Sequence, residues 1–158
     1  MTLIYQTENF IVESHEKPFV SREEGGHIRI KIKDESVTDR TKLTPKQAIE
    51  FMRLSMIVGK AFEIAMNNRG VKIVKINYQD MGNWAYKRNE KPYFHYHLFG
   101  RVLGAKNQPF PESVYLPDRG TGFYNNFESL NEGDVKEIEK QIRLVSQERV
   151  FGSEKWRL

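Results

Sequence analysis

The clearest alternation of polar and apolar positions covers residues 27–33. The apolar positions are Ile28, Ile30 and Ile32, and the polar ones are His27, Arg29, Lys31 and Lys33. A period of two with β-branched side chains predicts a strand with one buried face. Shorter apolar runs at 3–5 and 9–13, separated by the polar residues 6–8, predict a hairpin before it.

The longest periodic segment begins at Thr44-Pro45-Lys46-Gln47, a capping-box pattern with proline at the first helical position. Apolar and small residues recur at helical spacing through residues 48–66, and the Asn67–Gly70 segment is a helix-ending sequence. The pattern therefore predicts one long helix.

The second half of the chain predicts two strands and a further helix. Residues 71–78 and 93–103 have strand character, with a polar loop at 79–92 between them. Residues 104–131 are rich in Pro, Gly and Asn but also in aromatic residues, which predicts an ordered loop packed on the body. A helix is expected over 132–151, with a buried stripe of Val135, Ile138, Ile142 and Val145. This order predicts an α+β fold with an antiparallel sheet, in a single domain spanning residues 1–158.

The amino-acid composition limits the kinds of functional site that the protein can have. The 158 residues include no Cys, which excludes disulfides, thiolate metal sites and a cysteine nucleophile. No apolar run is long enough to span a membrane and no signal-peptide pattern is evident, so we expect a soluble cytoplasmic protein. The net charge of +4 favours anionic ligands such as nucleotides. The basic residues are scattered, which disfavours binding to nucleic acid.

Residues 92–101 hold the candidate chemistry. On a strand, Tyr93, His95, His97, Phe99 and Arg101 share one face. Arginine suits phosphate, and a neutral imidazole can act as a nucleophile or carry a proton. Two histidines in this arrangement are equally compatible with structural residues satisfied by hydrogen bonds. They could also bind a metal together with His15 and His27, although no HExxH spacing supports this.

This stretch resembles the signature of the histidine-triad family, in which three histidines alternate with apolar residues. Further matches, which extend the resemblance over residues 3–102, are the opening hairpin at 4–12, Gly26-His27-Ile28-Arg29-Ile30, Leu43-Thr44-Pro45 and Gln79-Asp80-Met81-Gly82. The chain departs from the family pattern at Tyr93, which stands where the first histidine of the triad is expected. Arg88-Asn89-Glu90 likewise replaces the usual residues before the triad, in a loop about three residues longer than usual in the family.

The resemblance implies a histidine-triad-like fold and assigns roles to single residues. His95 falls on the nucleophile and His97 on the third histidine of the triad. His27 falls on a residue beside the bound nucleoside, Gln79 on one near the phosphates, and Tyr93 on the first histidine. Arg101, at the end of the same strand face, is a further candidate for ligand contact. Lys87, Arg88 and Lys91 in the long loop could reach a polyphosphate or could simply be solvated.

The implied reaction has two steps. Neutral His95 attacks the α-phosphorus of a nucleotide, with its other ring nitrogen protonated and held by an acceptor, expected to be a backbone carbonyl. A nucleotidyl-histidine forms, and water or another acceptor then releases the nucleotide. Protonated His97 is a candidate to face the developing charge, with Gln79 and backbone amides as neutral donors. The chemistry requires no metal or cofactor, although magnesium could accompany the substrate.

The substrate classes implied are dinucleoside polyphosphates and nucleoside phosphoramidates. An alternative is a nucleotide-binding module with weak catalysis, suggested by Tyr93. A third hypothesis, a small nucleic-acid-binding protein, rests on the net charge and the many aromatic residues. Because family members pair through the long helix and an adjacent strand, we also expect a homodimer.

Overall fold

The computed structural model describes residues 1–158 and contains a five-stranded antiparallel sheet and four α-helices. The strands are β1 (Thr2–Gln6), β2 (Phe10–Ser14), β3 (His27–Ile32), β4 (Ile73–Asp80) and β5 (His95–Val102). Their order across the sheet is β1-β2-β3-β5-β4, so β3 is the central strand and β5 lies between β3 and the edge strand β4. The helices are α1 (Pro45–Asn68), α2 (Asn83–Lys87), α3 (Glu132–Ser146) and α4 (Ser153–Trp156). The predicted α+β class with an antiparallel sheet is confirmed.

Helix α1 begins at the predicted capping box. The Thr44 hydroxyl accepts a hydrogen bond from the backbone N–H of Gln47, and the Gln47 side chain accepts one from the Thr44 N–H. These two bonds satisfy donors that the first turn of a helix would leave without partners. No helix of the structure is long and apolar enough to cross a membrane.

The predicted C-terminal helix is shorter than expected. Helix α3 ends at Ser146, and residues Arg149–Phe151 form a separate 3-10 turn. The chain turns there because Phe151 is buried in the core and its carbonyl accepts a hydrogen bond from Arg53 Nε at 2.7 Å. The predicted buried stripe of α3 is confirmed, since all four of its apolar residues belong to the main core.

The main hydrophobic core lies between the sheet and helices α1 and α3. Ile28, Ile30 and Ile32 of β3 are completely buried on this side. The prediction of a single buried face for β3 was incomplete, because His27 and Arg29 on the other face are buried as well. A second layer must therefore cover that face.

Residues 104–131 form this second layer, and the expectation of an ordered loop is confirmed. Phe19, Phe99 and Tyr124 belong to a small hydrophobic cluster between the layer and the sheet. The Glu24 carboxylate accepts hydrogen bonds from three successive backbone N–H groups at 106–108. The buried Gln108 side chain donates to the carbonyls of Phe19 and Tyr115.

The predicted polar loop at 79–92 is partly regular. Strand β4 continues to Asp80, and α2 forms a short helix at 83–87. Strand β5 begins at His95, two residues later than expected. Tyr93 therefore precedes the strand, which changes what this residue can offer to the site.

Candidate functional site

A cavity of about 370 Å³ opens beside the N-terminal end of β5, on the sheet face opposite the main core. This volume lies within the range of small-ligand sites. Its lining includes histidines, aromatic rings and charged side chains, namely His15, Lys17, Phe19, Arg29, Arg88, Glu90, Lys91, Tyr93, His95, His97 and Arg119. His27 lies behind His97, so all four histidines of the chain meet at this place.

Gly25 and Gly100 allow the backbone before β3 to approach β5 closely. Gly25 has φ of 123° and contacts the backbone of Gly100, where a Cβ on Gly25 would lie 2.2 Å from the carbonyl carbon. The Gly100 N–H donates to the Gly26 carbonyl at 3.1 Å. Since only glycine fits both the conformation and the close approach, this contact places His27 at the head of β3 beside β5.

His95 has one ring nitrogen engaged and the other available. Its Nδ1 lies 2.8 Å from the carbonyl oxygen of Tyr93, which can only accept, so Nδ1 carries the proton. Nε2 then holds a lone pair and has no protein partner. The prediction that a backbone carbonyl orients this imidazole is confirmed.

A chain of hydrogen bonds sets the tautomers of His27 and His97. The Phe19 N–H donates to His27 Nδ1 at 3.3 Å, which leaves the proton on His27 Nε2. That nitrogen lies 2.8 Å from His97 Nδ1 and donates to it. His97 therefore carries its own proton on Nε2, where it can act as a donor.

His15 is a further member of the histidine cluster. Its ring stacks on His27 with centroids 4.9 Å apart, and its Nδ1 accepts from the Lys17 N–H at 3.1 Å. The His15 side chain is partly buried and lines the cavity.

Burial keeps the four imidazoles neutral. Desolvation is the main cause that lowers the pKa of His15, to about 4, and it lowers the pKa of His95 as well. It also lowers the pKa of His27 and His97 well below 6.5, and neighbouring positive groups add to the effect. The lowered pKa of His97 disfavours the candidate imidazolium and favours a neutral N–H donor at this position.

Arg29 places a guanidinium in the wall of the cavity. The β3–β5 register pairs Arg29 with His97, so both side chains project from the same face. Arg29 is buried and its Nε donates to the Glu13 carboxylate at 2.8 Å. The alternation of β3 had put Arg29 on the His27 face, but nothing in the sequence linked it to the histidines.

Tyr93 contributes its carbonyl and its ring in different ways. The carbonyl holds His95, while the ring lines the cavity with its centroid 5.0 Å from that of His95. The Arg29 guanidinium lies 5.9 Å from the Tyr93 ring centroid. Tyr93 therefore replaces the expected imidazole with an aromatic wall.

Gln79 and Arg101 do not line the cavity. The register pairs Gln79 with His97 on the same face, and the buried Gln79 Oε1 has no hydrogen-bond partner. Arg101 is 1% exposed and donates to Asn77 Oδ1 and to the carbonyls of Gln108, Pro109 and Glu112. These bonds fasten the 104–131 layer, so the predicted ligand contact of Arg101 was wrong.

The basic residues of the 79–92 loop differ in their ion pairs and in whether they line the cavity. Lys87 pairs with Asp118 and lies outside the cavity, while Arg88 pairs with Glu90 at 2.8 Å. Lys91 lines the cavity and has no carboxylate partner. The sequence did not point to Lys17 or Arg119, which also line the cavity, because neither belongs to a periodic segment.

The His, Asp and Glu side chains do not form a group of three or more that could hold a metal ion. The histidine rings instead stack on and hydrogen-bond to one another. The prediction of metal-free chemistry stays a prediction.

Comparison with known proteins gives a match at the level of structure. No family sequence model and no curated protein sequence matches the chain. A zinc-bound histidine triad family protein from Mycobacterium smegmatis superposes with a TM-score of 0.58 at 20% identity, over 92% of this chain and 87% of that one. A Hit-like protein involved in cell-cycle regulation from Bartonella henselae gives 0.57 at 14% identity, over 89% and 85%.

A hypothetical histidine triad nucleotide-binding protein from Sulfolobus tokodaii gives a TM-score of 0.56 at 14% identity, over 95% of this chain and 88% of that one. At these identities the likeness establishes the fold. The chain therefore has the fold of the histidine-triad proteins over nearly its whole length.

Proposed function

We propose that this protein, which has the fold of the histidine-triad proteins, is a nucleotide hydrolase or nucleotidyl transferase with His95 as its nucleophile. The proposed substrates are nucleotides with a phosphoanhydride or phosphoramidate bond at the α-phosphate. The observation that carries the proposal is the orientation of His95, whose Nδ1 donates to the Tyr93 carbonyl and whose Nε2 is left without a partner beside the cavity. A neutral imidazole held in this way is a nucleophile ready for attack.

In the first step, the lone pair of His95 Nε2 forms a bond to the α-phosphorus. The bond from phosphorus to the leaving group breaks, and its electron pair goes to the departing oxygen or nitrogen. The lowered pKa of His95 supports this role, because the ring stays unprotonated at neutral pH. In the second step, water attacks the phosphorus, the Nε2–P bond breaks, and a nucleoside monophosphate is released.

His97 supports the transition state as a neutral donor. Its Nε2–H is set by the hydrogen bond from His27 and lies next to the His95 ring, with ring centroids 5.0 Å apart. A donor oriented in advance stabilises negative charge on phosphate oxygens without reorganising during the reaction. Arg29 adds a fixed positive charge to the same wall.

The second candidate function is a nucleotide-binding module with weak turnover. Tyr93 favours it, because a phenol ring stands where the resemblance places an imidazole. Such a module would bind nucleotides in the same cavity but accumulate no His95 adduct.

The protein is further proposed to act as a homodimer. Met52 and Met56 on α1 are 53% and 42% exposed, and Val74 and Tyr78 on the edge strand β4 are 45% and 41% exposed. Exposed apolar side chains on a helix and on an adjacent open strand edge fit an interface with a second copy.

The test is to incubate the protein and a His95→Ala variant with diadenosine polyphosphates and with an adenosine phosphoramidate. AMP is followed by chromatography and the acid-quenched protein by mass spectrometry. We expect AMP release to fall by about a thousandfold or more in the variant, as for other nucleophile deletions, and the nucleotidyl adduct to disappear. The matched control is Tyr96→Phe, because Tyr96 is on the same strand but packs against the main core.

Two results would contradict the proposal. AMP release that persists in His95→Ala would exclude His95 as the nucleophile. Nucleotide binding by calorimetry without any AMP or adduct in the unmodified protein would instead favour the binding module.

A further inference from the structure

The cavity beside His95 is lined by more cations than its carboxylates can neutralise. Two of the five lining cations have carboxylate partners: Arg29 pairs with Glu13, and Arg88 pairs with Glu90. The other three, Lys17, Lys91 and Arg119, make no ion pair. A concave surface with excess positive charge raises the local concentration of anions.

Arg119 is held in position although no carboxylate holds it. Its guanidinium carbon lies 4.3 Å from the Phe19 ring centroid and 5.1 Å from that of Tyr124. One of its nitrogens donates to the Lys17 carbonyl at 2.5 Å. Since the Phe19 ring in turn lies 6.0 Å from the His97 ring, aromatic contacts connect this cation to the histidine cluster.

We propose that Lys17, Lys91 and Arg119 form a subsite for the phosphates of an anionic leaving group. The preferred substrates would then be nucleoside polyphosphates rather than phosphoramidates. This inference rests on the proposed function and narrows its substrate class. Three chain segments that are distant in sequence supply the subsite: the residues after β2, the loop before β5 and the 104–131 layer.

The chemistry of the leaving group also favours polyphosphate substrates. When His95 Nε2 bonds to the α-phosphorus of a polyphosphate, the P–O bond breaks and the next phosphate departs with the electron pair as an anion. This departing phosphate is stabilised by nearby cations and does not have to be protonated. An amine leaving group, with a pKa of about 10 for its conjugate acid, must instead be protonated.

The cavity contains positively charged side chains but no protonated histidine that could donate a proton to a leaving group. Its histidines are neutral at neutral pH because burial lowers their pKa, so no imidazolium stands ready to protonate an amine. Three unpaired cations, by contrast, are available to the departing phosphate. The site therefore matches the needs of the anionic leaving group.

The first test uses inorganic tripolyphosphate as the probe, so it does not depend on catalysis. Its binding is measured by calorimetry for the unmodified protein, for a Lys17→Ala/Lys91→Ala variant and for the same variant with Arg119→Ala added. We expect affinity to fall about threefold to tenfold for each cation removed, typical of partly exposed charged contacts. The control is the triple variant Lys42→Ala/Lys72→Ala/Lys155→Ala, which removes the same charge from exposed positions outside the cavity.

Arg119→Ala could loosen the 104–131 layer, since Arg119 contacts Phe19 and Tyr124. The double lysine variant avoids this, because both lysines are exposed and make no side-chain hydrogen bond. Arg119→Lys, which keeps the charge, is a second safeguard. Equal weakening in the control triple variant, or unchanged binding in the double variant, would overturn the subsite.

The second test compares two substrates in each variant. We expect kcat/KM for a diadenosine polyphosphate to fall at least about tenfold more than kcat/KM for an adenosine phosphoramidate when the subsite cations are removed. Equal losses for the two substrates would contradict the inference. Absence of AMP from both substrates in the unmodified protein would reject the proposed function instead, and tripolyphosphate binding would still decide the subsite.

Discussion

The two faces of strands β3 and β5 are both buried, but one consists of apolar side chains and the other carries polar ones. Ile28, Ile30 and Leu98 face the helices and are fully buried among apolar side chains. His27 and His97 lie on the opposite face against the rings of Phe19 and Phe99 and are almost as buried, at 1% and 4% exposure. On the first face stability comes from the burial of apolar area, and on the second each polar group must find a partner.

This difference shows what burial does for each face. Apolar side chains gain free energy when they leave water. Imidazoles lose hydration instead, so burial favours their neutral form and fixes their tautomers through hydrogen bonds. The core face therefore contributes mainly stability, while burial on the site face favours the neutral imidazoles that the proposed nucleophile and donor require.

The largest expected effect on folding concerns the apolar face. Ile30→Ala should lower the free energy of unfolding by about 2–5 kcal/mol, through lost burial and a cavity in the core. The measurement is urea unfolding, together with the rate of His95 adduct formation per folded molecule. That rate should change little, and a loss of rate as large as that in His95→Ala would show that the two faces are not separable.

Arg101 tests whether a charged side chain can be essential to the layer that covers the site face. Arg101→Met should lower the free energy of unfolding by about 3 kcal/mol, because three loop carbonyls and Asn77 lose their buried donor. The control is Arg143→Met on the surface of α3, where a change within about 0.5 kcal/mol is expected. Similar small effects in both variants would argue against this role of Arg101.

His27 is expected to be a positioning residue that acts through His97. His27→Ala should lower the rate of adduct formation by about 10- to 100-fold, because His97 Nδ1 loses the donor that sets its tautomer. Its cost in stability is expected to be about 1–2 kcal/mol. His27→Gln, which offers an amide N–H, should restore part of the rate, and equal rates in the two variants would exclude the tautomer effect.

The pH dependence of stability should come from the site face. The pKa of the buried histidines is lower in the folded than in the unfolded state, so the unfolded state binds more protons below about pH 6.5. The free energy of unfolding should have its full value above that pH. It should fall as pH decreases toward 4, by up to about 1.4 kcal/mol per pH unit for each histidine. Urea unfolding between pH 4.5 and 7.5 measures this dependence.

Variants identify the source of that pH dependence. His15→Phe, which keeps a ring that can stack on His27, should reduce the slope of stability against pH. An unchanged slope in His15→Phe would mean that His15 does not contribute. A stability that rises on acidification would contradict the burial argument for all of the histidines.

The smallest effect on the fold is expected at a third apolar surface, which neither layer covers. Met52→Glu on the exposed side of α1 should change the free energy of unfolding of the monomer by no more than about 0.5 kcal/mol. It should nevertheless convert a dimer to a monomer in light scattering, because a buried charge opposes association. A monomeric mass for the unmodified protein would reject the dimer.

Much of the architecture was predictable because the relevant signals are local. The Ile alternation of β3, the Thr44 capping box and the stripe of α3 each depend on residues within a few positions of one another. The shared face of His95 and His97 follows from the same strand periodicity. Even the carbonyl acceptor for His95 was predictable, since a nucleophilic imidazole needs its second nitrogen held.

The errors arose where contacts join a periodic segment to a segment without periodicity. Arg101 was assigned to a ligand because its strand position is correct, but its partners come from residues 108–112, in a segment without periodicity. Protonated His97 was a candidate because the sequence cannot show how completely the rings of Phe19 and Phe99 and the neighbouring histidines remove water from it.

The sequence by itself determined the five strands, helices α1 and α3 and the pair of histidines on one face, because backbone hydrogen bonding and side-chain periodicity act over short distances. Only the tertiary structure decided which nitrogens carry protons, which cations lack partners, and that Lys17 and Arg119 meet beside His95. These properties depend on burial and on contacts across as many as 102 positions of the chain, as between Lys17 and Arg119. Local sequence patterns do not encode contacts of that kind.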